Sequence, residues 1–347
     1  RMHNKSFTVD NRVTVIGGRN IAGEYFGARS DVNFGDLDVL GVGPVVQEVS
    51  TMFDLYWNSR SALPLPAFAK MPKDPSAELE TLREHLARSR QKLESSQYAE
   101  VLTRDIRSHV EAAASIYTWA PFELVYDEPE KAEPGRAENA ASILAPLREA
   151  VDAAETEILF VSPYFVPRET GVRGFEELRG RGIDATVVTN SLASTNHSIV
   201  HSGYAPARKK LLKMGVSLYE VRPDRGESGA IKAGNVTAEG ALHTKAFVVD
   251  REHLFVGSFN LDPRSAYLNT ELGVIIDSPE LAGAVVDGVN RALPTFTYRV
   301  ELTGDGRLQW VGYTDGEEEI WKHDPQTGWW KRFQASFMRI LPIRGQL

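Results

Sequence analysis

The sequence has no cysteine, no excess of positive charge and no long apolar run, and each of these absences excludes a class of protein. Without cysteine there is no disulfide framework, no thiolate nucleophile and no cysteine-ligated zinc. Lysine and arginine number 39 against 47 aspartate and glutamate, a formal charge of -8, which argues against bulk electrostatic binding of nucleic acid. No apolar stretch approaches the roughly 18 residues that cross a bilayer, so we expect any membrane contact to be peripheral unless a further segment precedes Arg1.

The composition that is present is that of a globular protein: 347 residues, 42% apolar and 25% charged. Because single cores stop growing near roughly 250 to 300 residues, this length favours two domains or lobes. Helix and strand patterns alternate between residues 139 and 243, which is typical of an α/β fold with a parallel or mixed sheet. Residues 74–114 instead predict a charged amphipathic helical stretch, with leucines on one side.

The start of the sequence is repeated after residue 240. Aligned without gaps, the two stretches share His3 with His243, Lys5 with Lys245, Phe7 with Phe247, Val9 with Val249, Asp10 with Asp250, Gly17 with Gly257 and Asn20 with Asn260. At roughly one chance match in 20 per position, four polar or glycine identities after a shared His arise about 6 times in a million. After a five-residue difference in length between the copies, the alignment continues: Asp36 aligns with Glu271, and Pro44 aligns with Pro279. We infer an internal duplication.

Each copy predicts a pair of strands. Lys5–Asp10 and Lys245–Asp250 are rich in apolar or β-branched residues, and Val13–Ile16 and His253–Val256 form a second apolar run. The second copy follows a long α/β pattern, whereas only two residues precede His3. If the copies are equivalent lobes, we expect the first lobe to be truncated and to lack its opening strands and helices.

The repeated residue types suit the chemistry of a phosphodiester. Positions i and i+2 of a strand face the same side, so each His points the same way as the Lys two residues later. Two copies related by a pseudo-two-fold axis would gather two His, two Lys and two Asn around one tetrahedral anion. The lysines Lys5 and Lys245 would bind its oxygens, and Asn20 and Asn260 would add neutral donors.

Two imidazoles at one phosphorus atom can take opposite roles. One must be neutral to attack phosphorus, and the other protonated to donate to the leaving oxygen. The attack would give a covalent phosphohistidine, which a second nucleophile releases. Asp36 and Glu271 are expected to orient the imidazoles through their other ring nitrogens.

These residues resemble a known signature. His3-Asn4-Lys5 with Asp10, and His243-Thr244-Lys245 with Asp250, are similar to the twin HxKxxxxD motifs of the phospholipase D superfamily. Four further segments resemble its bacterial branch of the cardiolipin synthase C type: Ser162–Pro167, Thr189–Ala193, Val200–Tyr204 and Leu341–Ile343.

The resemblance implies an α/β, bilobal phospholipase D-like fold, in which two pseudo-two-fold related mixed β-sheet lobes are flanked by helices. It implies catalysis by His3 and His243, with His3 favoured as the nucleophile. The motif residues Asp10 and Asp250 resemble structural members of the site more than proton carriers. Three further residues are implied to bind substrate: Ser258, His201 and Tyr204.

Four segments follow from this reading. We predict the remainder of a first lobe at 1–57, an interlobe helical connection at 58–138, a second lobe at 139–299 and an aromatic and basic C-terminal extension at 300–347. That extension holds four of the six tryptophans and could rest at a lipid interface or pack on the second lobe. The basic helix at 207–213 could likewise attract anionic lipid or form a solvated face.

No metal or cofactor is expected. The sequence contains no HExxH motif or carboxylate-rich cluster, and the repeated histidines lie beside lysines, which disfavour a divalent cation. The remaining histidines His85, His109 and His323 have no partnered spacing and are expected at the surface.

Three functions fit the pattern. The first is phosphatidyl transfer from a phospholipid, such as phosphatidylglycerol, to a second alcohol, which makes cardiolipin. The second is hydrolysis by a phospholipase or another phosphodiesterase, and the net charge disfavours a nucleic-acid substrate. The third is a non-catalytic anion-binding scaffold. The transferase hypothesis makes phospholipid the partner, excludes nucleic acid, leaves any protein partner unknown and places the protein at the periphery of a bacterial inner membrane.

Overall fold

A computed structural model describes residues 1–26, 32–94, 117–133, 142–195, 197–225, 239–314 and 316–338. The chain divides into two compact units. The larger unit contains both copies of the repeat and all of the strands in the described ranges. The smaller unit covers Trp57–Trp119, and its main described element is a helix at Pro75–Glu94.

The first copy of the repeat forms a three-stranded antiparallel sheet. The strands and their order are β1 (Ser6–Val9), β2 (Val13–Gly17) and then β4 (Asp38–Val42), while β3 (Val32–Gly35) lies outside this sheet. Asp10 and Asn11 have positive φ in the tight turn between β1 and β2. The predicted strand pair of the first copy is therefore confirmed.

The second copy forms the same meander within a much larger sheet. Its strands are β10 (Ala246–Val249), β11 (His253–Gly257) and β12 (Leu272–Asp277), and Asp250 and Arg251 have positive φ in the turn. The other strands are β5 (Phe122–Tyr126), β6 (Glu157–Val161), β7 (Asp184–Asn190), β8 (Ser217–Val221), β9 (Glu239–Leu242), β13 (Thr297–Leu302), β14 (Leu308–Thr314) and β15 (Glu317–Trp321). The ten-stranded order is β15-β14-β13-β8-β7-β6-β10-β11-β12-β5, and β9 pairs in parallel with β3.

Only the β6-β7 and β7-β8 pairs of the large sheet are parallel, so the sheet is mixed. This confirms the predicted α/β class. Strand β6 ends at Val161, two residues before Pro163, which has no N–H to donate to a ladder. Apolar side chains of β6, β7, β10 and β11 form much of the core.

Nine helices of 5 to 20 residues are defined in the described ranges. Their bounds are α1 (Pro44–Trp57), α2 (Pro75–Glu94), α3 (Leu144–Asp152), α4 (Arg168–Gly180), α5 (Ser198–Tyr204), α6 (Arg208–Lys213), α7 (Pro263–Tyr267), α8 (Pro279–Phe296) and α9 (Trp329–Met338). Helices α1 and α8 begin at the two prolines matched by the repeat, which suits the first turn because its N–H groups have no intrahelical partner. Within the described ranges, no helix combines the length and apolar character that crossing a bilayer demands.

The predicted segment boundaries stay predictions, but several elements near them are defined. Strand β5 falls inside the predicted connection at 58–138 and pairs with β12. Strands β13 to β15 continue the large sheet beyond β8; β13 crosses the predicted boundary at 299/300, and β14 and β15 fall in the predicted extension. Residues 95–116, the boundary near 138 and the Leu341–Ile343 motif lie outside the described ranges.

Candidate active site

Each repeated histidine is paired with a carboxylate from the other copy. The Nδ1 of His3 lies 2.7 Å from Glu271 Oε2, and the Nδ1 of His243 lies 2.6 Å from Asp36 Oδ2. Both carboxylate side chains are fully buried. Because each Nδ1 binds a carboxylate, each imidazole has its Nε2 available for chemistry.

Backbone pairing between the copies produces this crossing. The N–H of His243 donates to the carbonyl of Gly35 at 2.8 Å, where β9 runs parallel to β3. At the other histidine, the N–H of His3 donates to the carbonyl of Thr270 at 2.9 Å. The segment before each histidine thus lies parallel to the segment before the carboxylate of the other copy. The two half-sites are interlocked by main-chain hydrogen bonds.

The two lysines lie beside the histidines as the strand periodicity predicts. Lys5 Nζ donates to the His3 carbonyl at 2.7 Å, and Lys245 Nζ donates to the His243 carbonyl at 2.5 Å. Lys245 Nζ also lies 3.2 Å from the Nε2 of His243. Burial lowers the pKa of Lys5 to about 8 and the pKa of Lys245 to about 7.

The histidine pKa values are lowered as well. Burial lowers the pKa of His243 to about 4. The hydrogen bond to Asp36 raises this pKa by less than burial lowers it, and the positive charge of Lys245 lowers it further. Burial also lowers the pKa of His3, against the raising effect of Glu271. Both imidazoles are therefore mainly neutral at pH 7 in the absence of a bound anion.

The charges of the two copies act on one another. Lys245 lowers the pKa of His3, and Lys5 lowers the pKa of His243. Each lysine thus acts electrostatically on the imidazole of the other copy as well as on its own, which makes the four side chains one electrostatic group. An anion bound there would raise all four pKa values, because it would compensate cations that burial has deprived of water. The arrangement therefore suits a phosphodiester.

Glu271 is held from several directions. The Ser258 hydroxyl donates to its Oε2 at 2.5 Å, and the Asn269 amide donates to its Oε1 at 3.3 Å. Burial opposes ionisation of Glu271, but the hydrogen bond and charge of His3 and the Ser258 hydroxyl keep its pKa below the ordinary value. The Ser258 hydroxyl also accepts from Leu272 N at 3.0 Å, so this buried side chain positions Glu271, and its contact with substrate stays a prediction.

A buried ion pair supports the same carboxylate and was missed by sequence reasoning. Asp127 Oδ2 accepts from the Glu271 N–H at 2.9 Å and from Lys131 Nζ at 2.8 Å. Lys131 also donates to the Ser265 carbonyl at 3.0 Å. Neither residue lies in the repeat, and a lone Asp-x-x-x-Lys spacing is too common to have singled them out.

Comparisons with known proteins agree with this geometry. Residues 147–292 match the family model described as "Cardiolipin synthase, PLD-like domain". The chain is 37% identical to cardiolipin synthase C of Escherichia coli K12, over 99% of this chain and 72% of that protein. The chain belongs to the cardiolipin synthase C family.

Two further relatives extend the comparison. An uncharacterized protein of Helicobacter pylori strain 26695 is 31% identical over 99% of this chain and 67% of its own length. The crystal structure of phosphatidylserine synthase from Haemophilus influenzae superposes with a TM-score of 0.56 at 12% identity, over 98% of this chain and 69% of that one. This structural likeness confirms the predicted phospholipase D-like fold.

The motif aspartates of this cardiolipin synthase C family member lie at the far ends of the strands from the histidines. Asp250 accepts hydrogen bonds from the N–H groups of Glu155, Thr156 and Glu157 and from the Thr156 hydroxyl, at 2.7 to 3.0 Å. It therefore ties the end of β10 to the start of β6, as a structural residue would. Asp10 occupies the matching turn and is exposed.

The two motif asparagines have unlike surroundings. Asn20 donates to the Tyr25 hydroxyl at 2.8 Å, and the Tyr25 ring packs edge-on against the imidazole of His243 with centroids 4.9 Å apart. Asn260 is buried, and its side-chain oxygen has no hydrogen-bond partner in the described part of the chain. A role for either in binding phosphate stays a prediction. The Tyr25 and Phe34 rings beside His243 were not anticipated, because they lie where the copies differ in length.

His201 and Tyr204 lie in a buried ionic cluster. Arg208 donates to Glu220 at 2.8 Å, to Asp324 at 2.9 Å, and its Nη2 lies 2.8 Å from the His201 Nε2. Among the described residues no hydrogen bond links His201 or Tyr204 to the paired histidines, and their substrate contact stays a prediction. One alternative is corrected: Arg208 of the basic helix is buried, so it does not face anionic lipid.

Proposed function

We propose that this chain transfers a phosphatidyl group from one phospholipid to the hydroxyl of phosphatidylglycerol and so makes cardiolipin, through a phosphohistidine. The observation that carries the proposal is the pair of crossed histidine–carboxylate contacts beside two lysines. The 37% identity to cardiolipin synthase C of Escherichia coli supports the choice of product.

His3 is the nucleophile in this proposal. Its Nδ1 is bound to Glu271, and no hydrogen bond from the described residues reaches its Nε2. Lys245 Nζ instead lies beside the His243 imidazole, 3.0 Å from its Nδ1 and 3.2 Å from its Nε2. The Lys245 pKa of about 7 suits this amine to exchange a proton with the imidazole. This contact favours His243 as the acid and base, in keeping with the family resemblance.

The first step forms one bond and breaks one. The lone pair of His3 Nε2 attacks phosphorus and the bond from phosphorus to the headgroup oxygen breaks. His243, protonated because the bound anion raises its pKa, gives its proton to the departing alkoxide. With phosphatidylglycerol as donor, glycerol leaves and phosphatidyl-His3 remains. Lys5 and Lys245 stabilise the charge on the non-bridging oxygens of the transition state.

The second step reverses these roles. The hydroxyl of a second phosphatidylglycerol loses its proton to the now neutral His243 and attacks phosphorus, the N–P bond to His3 breaks, and cardiolipin leaves. We place this reaction at the surface of a bacterial inner membrane, where both lipids are available.

The decisive experiment is a lipid-product assay. The protein is incubated with labelled phosphatidylglycerol in liposomes, with and without EDTA, and the lipids are resolved. Cardiolipin formed at equal rates in both samples supports the proposal. Phosphatidic acid alone would replace it with hydrolysis, and no product from protein that is demonstrably folded would replace it with a binding role.

A quenching experiment tests the intermediate. Protein stopped during turnover is digested, and the phosphatidyl adduct is located by mass spectrometry. We expect a base-stable, acid-labile adduct on the peptide that holds His3. An adduct on the His243 peptide would reverse the assignment of nucleophile and acid, and no adduct in an active sample would exclude covalent catalysis.

A further inference from the structure

Helix α9, the last described helix, has apolar side chains on two opposite faces. At about 100° per residue, Trp329, Trp330, Phe333 and Phe337 fall within an arc of about 100°, and Ala335 lies on the opposite side. Ala335 is buried, while the four aromatic side chains are each at least half exposed. One face thus packs on the protein and the other is apolar but faces solvent.

The four exposed aromatics form a continuous surface, here called the aromatic ridge. Trp329 and Trp330 have ring centroids 5.3 Å apart, Trp330 and Phe333 are stacked at 5.5 Å, and Phe333 and Phe337 are stacked at 6.3 Å. The helix beneath is anchored, because Lys331 Nζ donates to the Ala193 carbonyl at 3.1 Å. A contiguous exposed apolar surface on a fixed helix marks a binding surface rather than a frayed terminus.

A cationic cavity adjoins the start of the ridge. It has a volume of about 410 Å³ and is lined by Trp321, Lys322, His323, Thr327 and Arg332, among others. Arg332 is held in place through its donation to the Thr327 carbonyl. The one carboxylate in the lining, Asp324, is compensated by Arg208 at 2.9 Å. The lining therefore favours an anionic group.

We propose that the aromatic ridge and the adjoining cationic cavity dock this protein onto a bilayer that contains anionic phospholipid. Aromatic side chains such as tryptophan and phenylalanine are stabilised when they enter the headgroup region of a membrane, and nearby cations attract anionic headgroups. The proposal rests on the proposed function in lipid chemistry, and it assigns the docking to one surface.

Vesicle co-sedimentation tests the docking. The full chain is mixed with two kinds of vesicle. One is pure phosphatidylcholine, and the other is phosphatidylcholine with roughly 30% phosphatidylglycerol, whose anionic headgroups attract nearby cations. We expect Trp330→Ala with Phe333→Ala to lower binding to the mixed vesicles about tenfold or more, because two exposed aromatics no longer enter the interface. The matched control, Gln334→Ala with Ser336→Ala, changes polar positions of the same helix and should bind as the parent does.

Lys322→Gln with His323→Gln should remove the preference for phosphatidylglycerol while leaving the weaker binding to phosphatidylcholine. The proposal is overturned if the aromatic variant binds as tightly as the parent, or if the polar control loses as much binding. It is also overturned if light scattering shows that the parent is a dimer in solution and that Trp330→Ala with Phe333→Ala is a monomer, because the ridge would then be an interface between two copies of this chain.

A second substrate separates failure of the docking from failure of the proposed function. Short-chain phosphatidylglycerol below its micelle concentration needs no bilayer surface, so the aromatic variant should make product from it at the parent rate and lose rate only on vesicles. Equal loss on both substrates would contradict the docking role. Parent protein that binds vesicles but makes no product from either substrate would contradict the proposed function alone.

Discussion

The strand that follows Lys245 lies in the middle of the ten-stranded sheet, between β6 and β11, whereas the strand that follows Lys5 pairs with β2 alone among the described strands. Phe247 is 5% exposed and its counterpart Phe7 is 62% exposed. Both copies nevertheless make the same antiparallel meander and the same left-handed turn. The short-range pattern thus specifies strand and turn, while neighbouring elements decide what becomes core.

The largest expected effect is one that the two copies should share: loss of activity when either repeated histidine is replaced. His3→Ala and His243→Ala should each lower the rate of phosphatidyl transfer at least ~10³-fold, because each removes one of two groups that act on the same phosphorus. The measurement is initial rate on labelled phosphatidylglycerol, with circular dichroism to show that each variant is folded. Near-normal rate in either variant would show that the copies do not share a site.

Removing the matched phenylalanine from each copy should have very different effects on the free energy of unfolding. Phe247→Ala should lower the free energy of unfolding by about 3 to 5 kcal/mol, because its ring is buried and stacked on Phe255 at 4.9 Å. Phe7→Ala, the matched change in the first copy, should cost less than about 1 kcal/mol because most of that ring is exposed. Urea unfolding measures both, and equal losses would mean that Phe7 is covered in solution.

Replacing the two motif aspartates should give a smaller difference in the free energy of unfolding than replacing the two phenylalanines. Asp250→Ala removes an acceptor of four hydrogen bonds and should lower the free energy of unfolding by about 1 to 3 kcal/mol. These hydrogen bonds hold the pKa of Asp250 below its ordinary value, so its contribution is present above that value and is lost as pH falls through the lowered pKa.

Asp10→Ala is the matched change, and we expect little effect because its side chain is exposed. The comparison is made by urea unfolding at pH 7 and again near pH 3. A cost for Asp10→Ala as large as that for Asp250→Ala would break the contrast between the copies.

The smallest effect concerns pH. Lys245 has a pKa of about 7 and Lys5 of about 8, so the first cation lost as pH rises is that of Lys245. We expect kcat/KM on short-chain phosphatidylglycerol to fall above pH 7, by at most about tenfold per pH unit for one proton. In Lys245→Ala the residual activity should lose this decline, whereas Lys5→Ala should retain it. A profile unchanged in Lys245→Ala would assign the decline to another group.

Much of the site could be predicted because duplication is visible in one sequence. The spacing of His3 from Lys5 and of His243 from Lys245 predicts each pair on one side of its segment, and in the structure each lysine Nζ donates to the carbonyl of its histidine. Asp127 and Lys131 could not be predicted, since they act through the backbone of Glu271 and their sequence neighbourhood is ordinary. Neither alternative given for the basic helix holds at Arg208, because a basic helix has the same sequence pattern whether its arginine meets solvent or a buried Glu220.

The amino-acid sequence by itself determined the twin motifs, the meander with its turn in each copy, and the family. Tertiary structure alone decided that Glu271 serves His3 and that Asp36 serves His243. The reason is that strands, turns and same-side spacing depend on residues a few positions apart. Partners more than 200 positions apart are chosen by how two folded copies pair their backbones, which no local pattern encodes.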